Sequence, residues 1–145
     1  MKEIFTAFPK FINVYLELIN VDLQLRKKGF HTAYLKYITR HKSYKSKLKL
    51  YNDEQLSKEV NNFLYLIDKV CRLYPFEAQC IHRSFLGYRF LREKLGFPVE
   101  LVIGVKKYPF SAHAWLMFQG FNVNESEEYT SEFQVILSSE EGVQR

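Results

Sequence analysis

Cys80 stands at the start of a predicted helix, and His113 follows 33 residues later on a predicted strand. A thiol at a helix N-terminus feels the positive end of the backbone dipole, which favours the thiolate. An imidazole within reach can take the thiol proton and return it to a leaving group. Together they form the working parts of a thiol acyl-transfer site. Such a site needs a third group to orient the imidazole, and Glu125 and Asn124 fall at the expected distance from His113 along the chain. The Cys80 backbone N–H can supply one oxyanion donor. Gln79 is the candidate for a second.

The same residues also fit an inert reading. A helical cysteine is commonly a small buried hydrophobe. A histidine beside Trp115 can be a satisfied core residue, and Glu125 can be one acid of the charged loop Glu125–Glu128. Cys71 serves as an internal comparison. It lies mid-helix, one residue off an apolar stripe, with no basic partner in view, and is expected to be structural. His82 is two residues from Cys80 and so points away from it; a surface or packing role is expected. His31 and His41 lie in a basic region without ligand spacing.

The elements that must position these groups follow from periodicity. Pro9 to Lys28 is predicted helical, with Asn13, Glu17, Asn20 and Gln24 forming one polar stripe at steps of 4, 3 and 4. The rest of that helix is largely apolar, which implies burial around most of its girth or cover by a partner. Gly29 ends it. His31 to Thr39 is a second short helix, and Arg40 to Asn52 reads as a linker or loop. A third helix begins at Asn52–Asp53, with Leu56, Val60, Phe63, Ile67, Val70 and Tyr74 on one face. A fourth runs from Cys80 to Leu95 and closes at Gly96. Strands are predicted over Val99–Val105, Ala112–Phe118, Phe121–Asn124 and Phe133–Leu137, with a hairpin turn at Gln119–Gly120. In the second strand the period of two puts His113, Trp115 and Met117 on one face. The thiol and imidazole meet if the Cys80 helix packs on that face. Helices first and an antiparallel sheet after make an α+β fold. The tail from Ser138 is polar and expected to fray.

Composition narrows the class. In 145 residues, 47% are hydrophobic and 17% aromatic, which suits one compact domain rather than a disordered chain. Two cysteines make neither a disulfide framework nor a CxxC pair, and the four histidines match no zinc pattern, so no metal and no cofactor is expected. A reduced, cytoplasmic protein is expected. The segment Phe11–Leu25 carries too many polar residues to span a bilayer. The net charge of +5 is uneven: Arg26 to Lys49 holds nine Lys or Arg and no acid, and Glu125 onward holds six acids and one Arg. The basic run is a solvated face or a docking surface for an acidic partner. No nucleic-acid motif accompanies it.

At three places the residues resemble one family. The run Cys80-Ile-His-Arg-Ser-Phe-Leu-Gly and onward to Val105 resembles the core of the lasso-peptide leader peptidases, which are transglutaminase-like cysteine proteases. Tyr108-Pro-Phe-Ser-Ala-His-Ala-Trp115 is similar to their histidine motif, and Gly120 to Glu125 to their following hairpin. The resemblance covers about residues 70 to 137. It implies a transglutaminase/papain-like core, placed over 51–138, which composition and periodicity set between a basic helical extension over 1–50 and a flexible tail over 139–145. It implies cleavage of a precursor peptide at the leader–core junction, which frees the core's amine for macrolactam closure by a separate cyclase. Cys80 would be the nucleophile and His113 the base. The third member is usually aspartate and falls here on Glu125, a departure that leaves Asn124 open as the orienting group. The first 50 residues read as helices, not as the family's winged-helix leader-recognition domain. A split form with a separate recognition protein is therefore expected, with the apolar helix and the basic segment as docking surfaces. A related acyltransferase and a non-catalytic leader- or cyclase-binding scaffold remain as alternatives.

Overall fold

The computed structural model describes residues 2–43 and 52–140. Two helices lead, α1 (Lys2–Lys28) and α2 (Phe30–His41), followed by α3 (Asp53–Leu73) and α4 (Cys80–Leu95). The sheet is built from β1 (Glu100–Lys106), β2 (Ser111–Phe118), β3 (Phe121–Asn122) and β4 (Gln134–Ser138), with a one-turn helix α5 (Glu127–Thr130) before the last strand. Strand order is β3-β2-β1-β4 and every neighbouring pair is antiparallel. The architecture is α+β, as the change of hydrophobic period predicts. Among the described residues no helix is long and apolar enough to cross a membrane.

Local chemistry sets several boundaries. Asn52 caps α3 by accepting from the Gln55 N–H at 2.7 Å, while the Gln55 side chain accepts from the Asn52 N–H at 3.1 Å. This reciprocal cap satisfies two amides that a helix start leaves without partners. Gly96 closes α4 with φ 60°, a left-handed conformation that costs glycine little. The linker expected over Arg40–Asn52 falls mostly on residues outside those described; Arg40 and His41 belong to α2.

Helix α1 departs from expectation at its start. It starts upstream of Pro9, which lies inside it. Along its polar stripe Asn13 is exposed, Asn20 and Gln24 are half-buried, and Glu17 is buried. Glu17 is paired with Arg89 of α4, and Asn20 donates to Glu17. Val14, Leu18 and Val21 enter the core, while Phe8, Ile12, Leu16 and Leu23 stay exposed. An inward charge had a partner waiting on another helix, which no reading of α1 by itself reveals.

The two faces of the sheet do different work. Leu101, Ile103, Ala114 and Leu116 join the main core with the buried residues of α1 to α4. On the opposite face Val102, Trp115 and Phe133 form a second cluster, edged by Met117 and Val135. The helices therefore pack on the Ala114/Leu116 face, opposite to the one that carries His113 and Trp115. The last strand runs one residue further than expected. Beyond it Ser139 is buried, and its hydroxyl accepts the Leu101 N–H at 2.7 Å, so the tail is fixed at this point. Residues 141–145 lie outside those described.

Candidate active site

Cys80 is the first residue of α4 and is half-buried. Its thiol does not cross the sheet to meet His113. The two-residue β3 pairs only with Met117 and Phe118, so β2 is an edge strand around His113 and Ala114. The start of α4 sits against that edge. The Cys80 sulfur receives the Ala114 N–H and shares a hydrogen bond with the His113 ring. Helix and imidazole lie on different faces, and the thiol reaches the ring around the strand's open side.

Glu125 holds the far end of the ring, with Oε1 2.8 Å from His113 Nε2. This leaves Nδ1 for the thiol. Glutamate's extra methylene is therefore accommodated. The loop that carries it is tied to β2: Asn124 Oδ1 accepts the Leu116 N–H at 2.8 Å, and the Val123 N–H donates to the Leu116 carbonyl at 2.9 Å. Asn122 extends the stitching by donating to Thr130 Oγ1 at 2.7 Å. Of the two groups that spacing leaves open, Glu125 touches His113 and Asn124 anchors the backbone beside it. The His113 ring is wedged among aromatics, stacked on Trp115 at 5.9 Å and edge-on to Tyr129 at 5.1 Å, with Phe133 at 5.7 Å. This wedge limits ring rotation.

The electrostatics of the pair follow from these contacts. Burial pushes the Cys80 thiol up, but the His113 hydrogen bond, the Ala114 N–H, the imidazole charge and the Ile81 N–H outweigh it, and the pKa lies below the ordinary thiol value. The hydrogen bond to Cys80 pushes His113 up, burial opposes it, and Glu125 adds to the rise, leaving it above the ordinary imidazole value. Each partner stabilises the charged form of the other. Cys71 behaves in the opposite way: burial pushes it up to about 11.

Two cavities open from the thiol. One of about 650 Å³ lies on the helical side, walled by apolar Leu25, Phe30, Ile103, Val105 and Ile136, with Gln79 at its edge. The other, of about 410 Å³, is lined by Asp68, Arg83, Ser84, Asn124 and Glu125. A peptide laid across Cys80 would place its two sides in surroundings of different polarity. Gln79 itself is exposed and is the N-cap of α4. Among the described residues no group of three or more His, Cys, Asp or Glu could hold a metal ion.

Sequence reasoning missed two contributors. The Ala114 N–H is a backbone group and leaves no residue signature. His82, for which a surface or packing role is expected, is packed, at 6% exposed, and the hydrogen bond to Asp22 of α1 at 3.0 Å is what the sequence did not show. An acid on the apolar side of α1 was the available signal.

The microcin J25-processing protein McjB of Escherichia coli is 27% identical over 134 residues, covering 90% of this chain and 58% of McjB, so the chain spans under two thirds of that relative. No solved structure matches. A family model described as the transglutaminase-like superfamily matches residues 18–138, which include the C-terminal part of α1, all of α2 to α5 and the four strands. With most of its length covered by that match, the chain belongs to the transglutaminase-like superfamily.

Proposed function

We propose that this chain is a cysteine endopeptidase that removes the leader from a ribosomally made lasso precursor peptide. The observation that carries the reading is the hydrogen-bonded series Cys80–His113–Glu125, a thiol activated by an imidazole that a carboxylate orients. Similarity to a protein named for microcin J25 processing supports the substrate class.

The chemistry is acyl transfer to water. His113 takes the Cys80 proton, and the thiolate attacks the carbonyl carbon of the last leader residue. The Cys80 N–H donates to the oxyanion. As the C–N bond breaks, His113 gives its proton to the core amine, leaving the leader on sulfur as a thioester. The neutral imidazole then takes a proton from water. The hydroxide adds to the thioester carbonyl, the C–S bond breaks, and the leader leaves with a free carboxylate. Glu125 holds Nε2–H throughout and stabilises the imidazolium in both steps.

A separate recognition protein presents the leader, and the exposed stripe Phe8, Ile12, Leu16 and Leu23 is where it seats. The reaction takes place in the cytoplasm, where both thiols stay reduced. The freed amine then passes to a cyclase. The test is cleavage of the precursor by purified protein with the recognition protein present. Cys80→Ala should lose cleavage and keep its fold, and the wild-type leader product should carry one added water. Full cleavage by the Cys80→Ala variant would remove the assignment. A leader product that carries an amine would make the enzyme an acyltransferase.

A further inference from the structure

A buried polar cluster lies beneath the first turn of α4, outside the catalytic series. Asp22 is 5% exposed and His82 6%. The Gln79 N–H points at His82 Nδ1 at 3.0 Å, and because an amide only donates, Nδ1 carries no proton. His82 Nε2–H therefore donates to Asp22 Oδ1 at 3.0 Å. The second carboxylate oxygen of Asp22 accepts from Tyr74 at 2.6 Å and from Arg26 at 3.0 Å. Asp22 and Arg26 come from α1, Tyr74 from the end of α3 and His82 from α4, so three helices converge on one turn.

A census of the amides around that turn shows its effect. The Gln79 N–H is taken by His82. The His82 and Arg83 N–H groups both reach the Gln79 carbonyl, at 3.1 and 3.3 Å. The Ile81 and Ala114 N–H groups face the Cys80 sulfur. Among the described residues no acceptor takes the Cys80 N–H. A helix start leaves its first amides without partners, and here the neighbouring amides are occupied and this one is left.

We propose that Asp22 and His82 are positioning residues that fix the Gln79–Cys80 turn so that the Cys80 N–H is held ready for the oxyanion. The inference rests on Cys80 being the nucleophile. It differs from a purely stabilising role, because apolar residues of similar volume replace many buried polar groups without loss of stability. It also separates two reactions of one thiol. Alkylation by iodoacetamide forms the S–C bond as iodide leaves and develops no oxyanion. Acylation by p-nitrophenyl acetate passes through a tetrahedral oxyanion before p-nitrophenolate leaves.

Both rates are measured at Cys80 in a Cys71→Ala background, with thermal melting alongside. His82→Leu, which removes the acceptor for the Gln79 N–H, should slow acylation about tenfold or more, set against the 10²–10³ lost when an oxyanion donor is removed outright. Alkylation should stay within about twofold. His82→Asn, whose amide oxygen stands near the place of Nδ1, should recover most of the acylation rate. Asp22→Asn, which no longer enforces the Nε2–H tautomer, should slow acylation selectively and serves as the test if the leucine variant does not fold. Unchanged acylation, or a parallel fall of both reactions, overturns the inference. A wild-type Cys80 that neither alkylates nor acylates overturns the nucleophile assignment, and this inference with it.

Discussion

Beside the hydrogen bond to Cys80, which does most to raise His113, the Glu125 carboxylate adds a second push in the same direction. That carboxylate favours the imidazolium, and the imidazolium in turn favours the thiolate. Removing the charge with Glu125→Gln lowers the His113 pKa, and the Cys80 pKa then rises. The expected outcome is an alkylation-versus-pH curve for Cys80 displaced to higher pH, together with a fall in turnover of about tenfold or more. An unmoved curve would separate Glu125 from the pair. Asn124→Ala acts differently, because it strips the Leu116 N–H of its acceptor in a partly buried place. That loss costs about 1–3 kcal/mol, read as a lower melting temperature, with less effect on turnover than Glu125→Gln. The two cysteines make a second comparison. Cys71 is buried with its thiol pushed up to about 11 and Cys80 is half-buried with its thiol pushed down. A limiting alkylator near neutral pH should label Cys80 well before Cys71, as peptide mass spectrometry would show. Cys71→Ala should keep activity.

At the scale of elements, the active geometry depends on how closely α4 lies against β2. Gly87 sets that distance: a Cβ there would come within 2.4 Å of Leu116 Cδ1. Leu116 is fully buried, so its Cδ1 must turn within packed surroundings to make room for the new methyl. In an isolated helix Gly→Ala gains about 1 kcal/mol, whereas overpacking a filled core costs about 1–3 kcal/mol. Gly87→Ala should therefore lower the melting temperature. It should also slow cleavage by shifting Cys80 against the Ala114 edge of β2. A stabilised and fully active variant would show that the helix–strand distance is slack. The hairpin loop after β3 makes a parallel point. Glu125 is held at 2.8 Å from His113 by a loop stitched to β2, so the place of the carboxylate is a property of the loop as much as of the side chain.

For the whole molecule, α1 has two roles on opposite faces. Inward, Glu17 pairs with Arg89 and Asp22 joins the cluster below the Cys80 turn. Outward, Phe8, Ile12, Leu16 and Leu23 leave an apolar stripe, which the proposed recognition protein covers. The double substitution Ile12→Lys/Leu16→Lys should leave melting nearly unchanged, since exposed substitutions usually stay within about 0.5 kcal/mol. It should abolish cleavage that depends on that protein while sparing direct alkylation of Cys80. Retained cleavage would move the docking surface elsewhere.

The sequence by itself determined the α+β order of elements, because hydrophobic period is a local property and its change from helical to alternating spacing after Gly96 can be read residue by residue. It also offered the candidates Cys80 and His113, with Glu125 and Asn124 both open as the third group, since a thiol at a helix start, an imidazole on a strand and polar groups after the next turn are features of type and spacing. Only the tertiary structure decided how they meet. Face assignment along β2 put His113 with Trp115, which is right, and made a meeting with Cys80 depend on the helix packing on that face, which it does not. The short β3 leaves β2 open at Ala114, and an open edge depends on where a partner strand stops. The same holds for the inward charges of α1 and for the burial of His82. A buried polar group is stable only where other elements supply its hydrogen bonds, and for Asp22 and His82 those partners lie on separate helices brought together by packing.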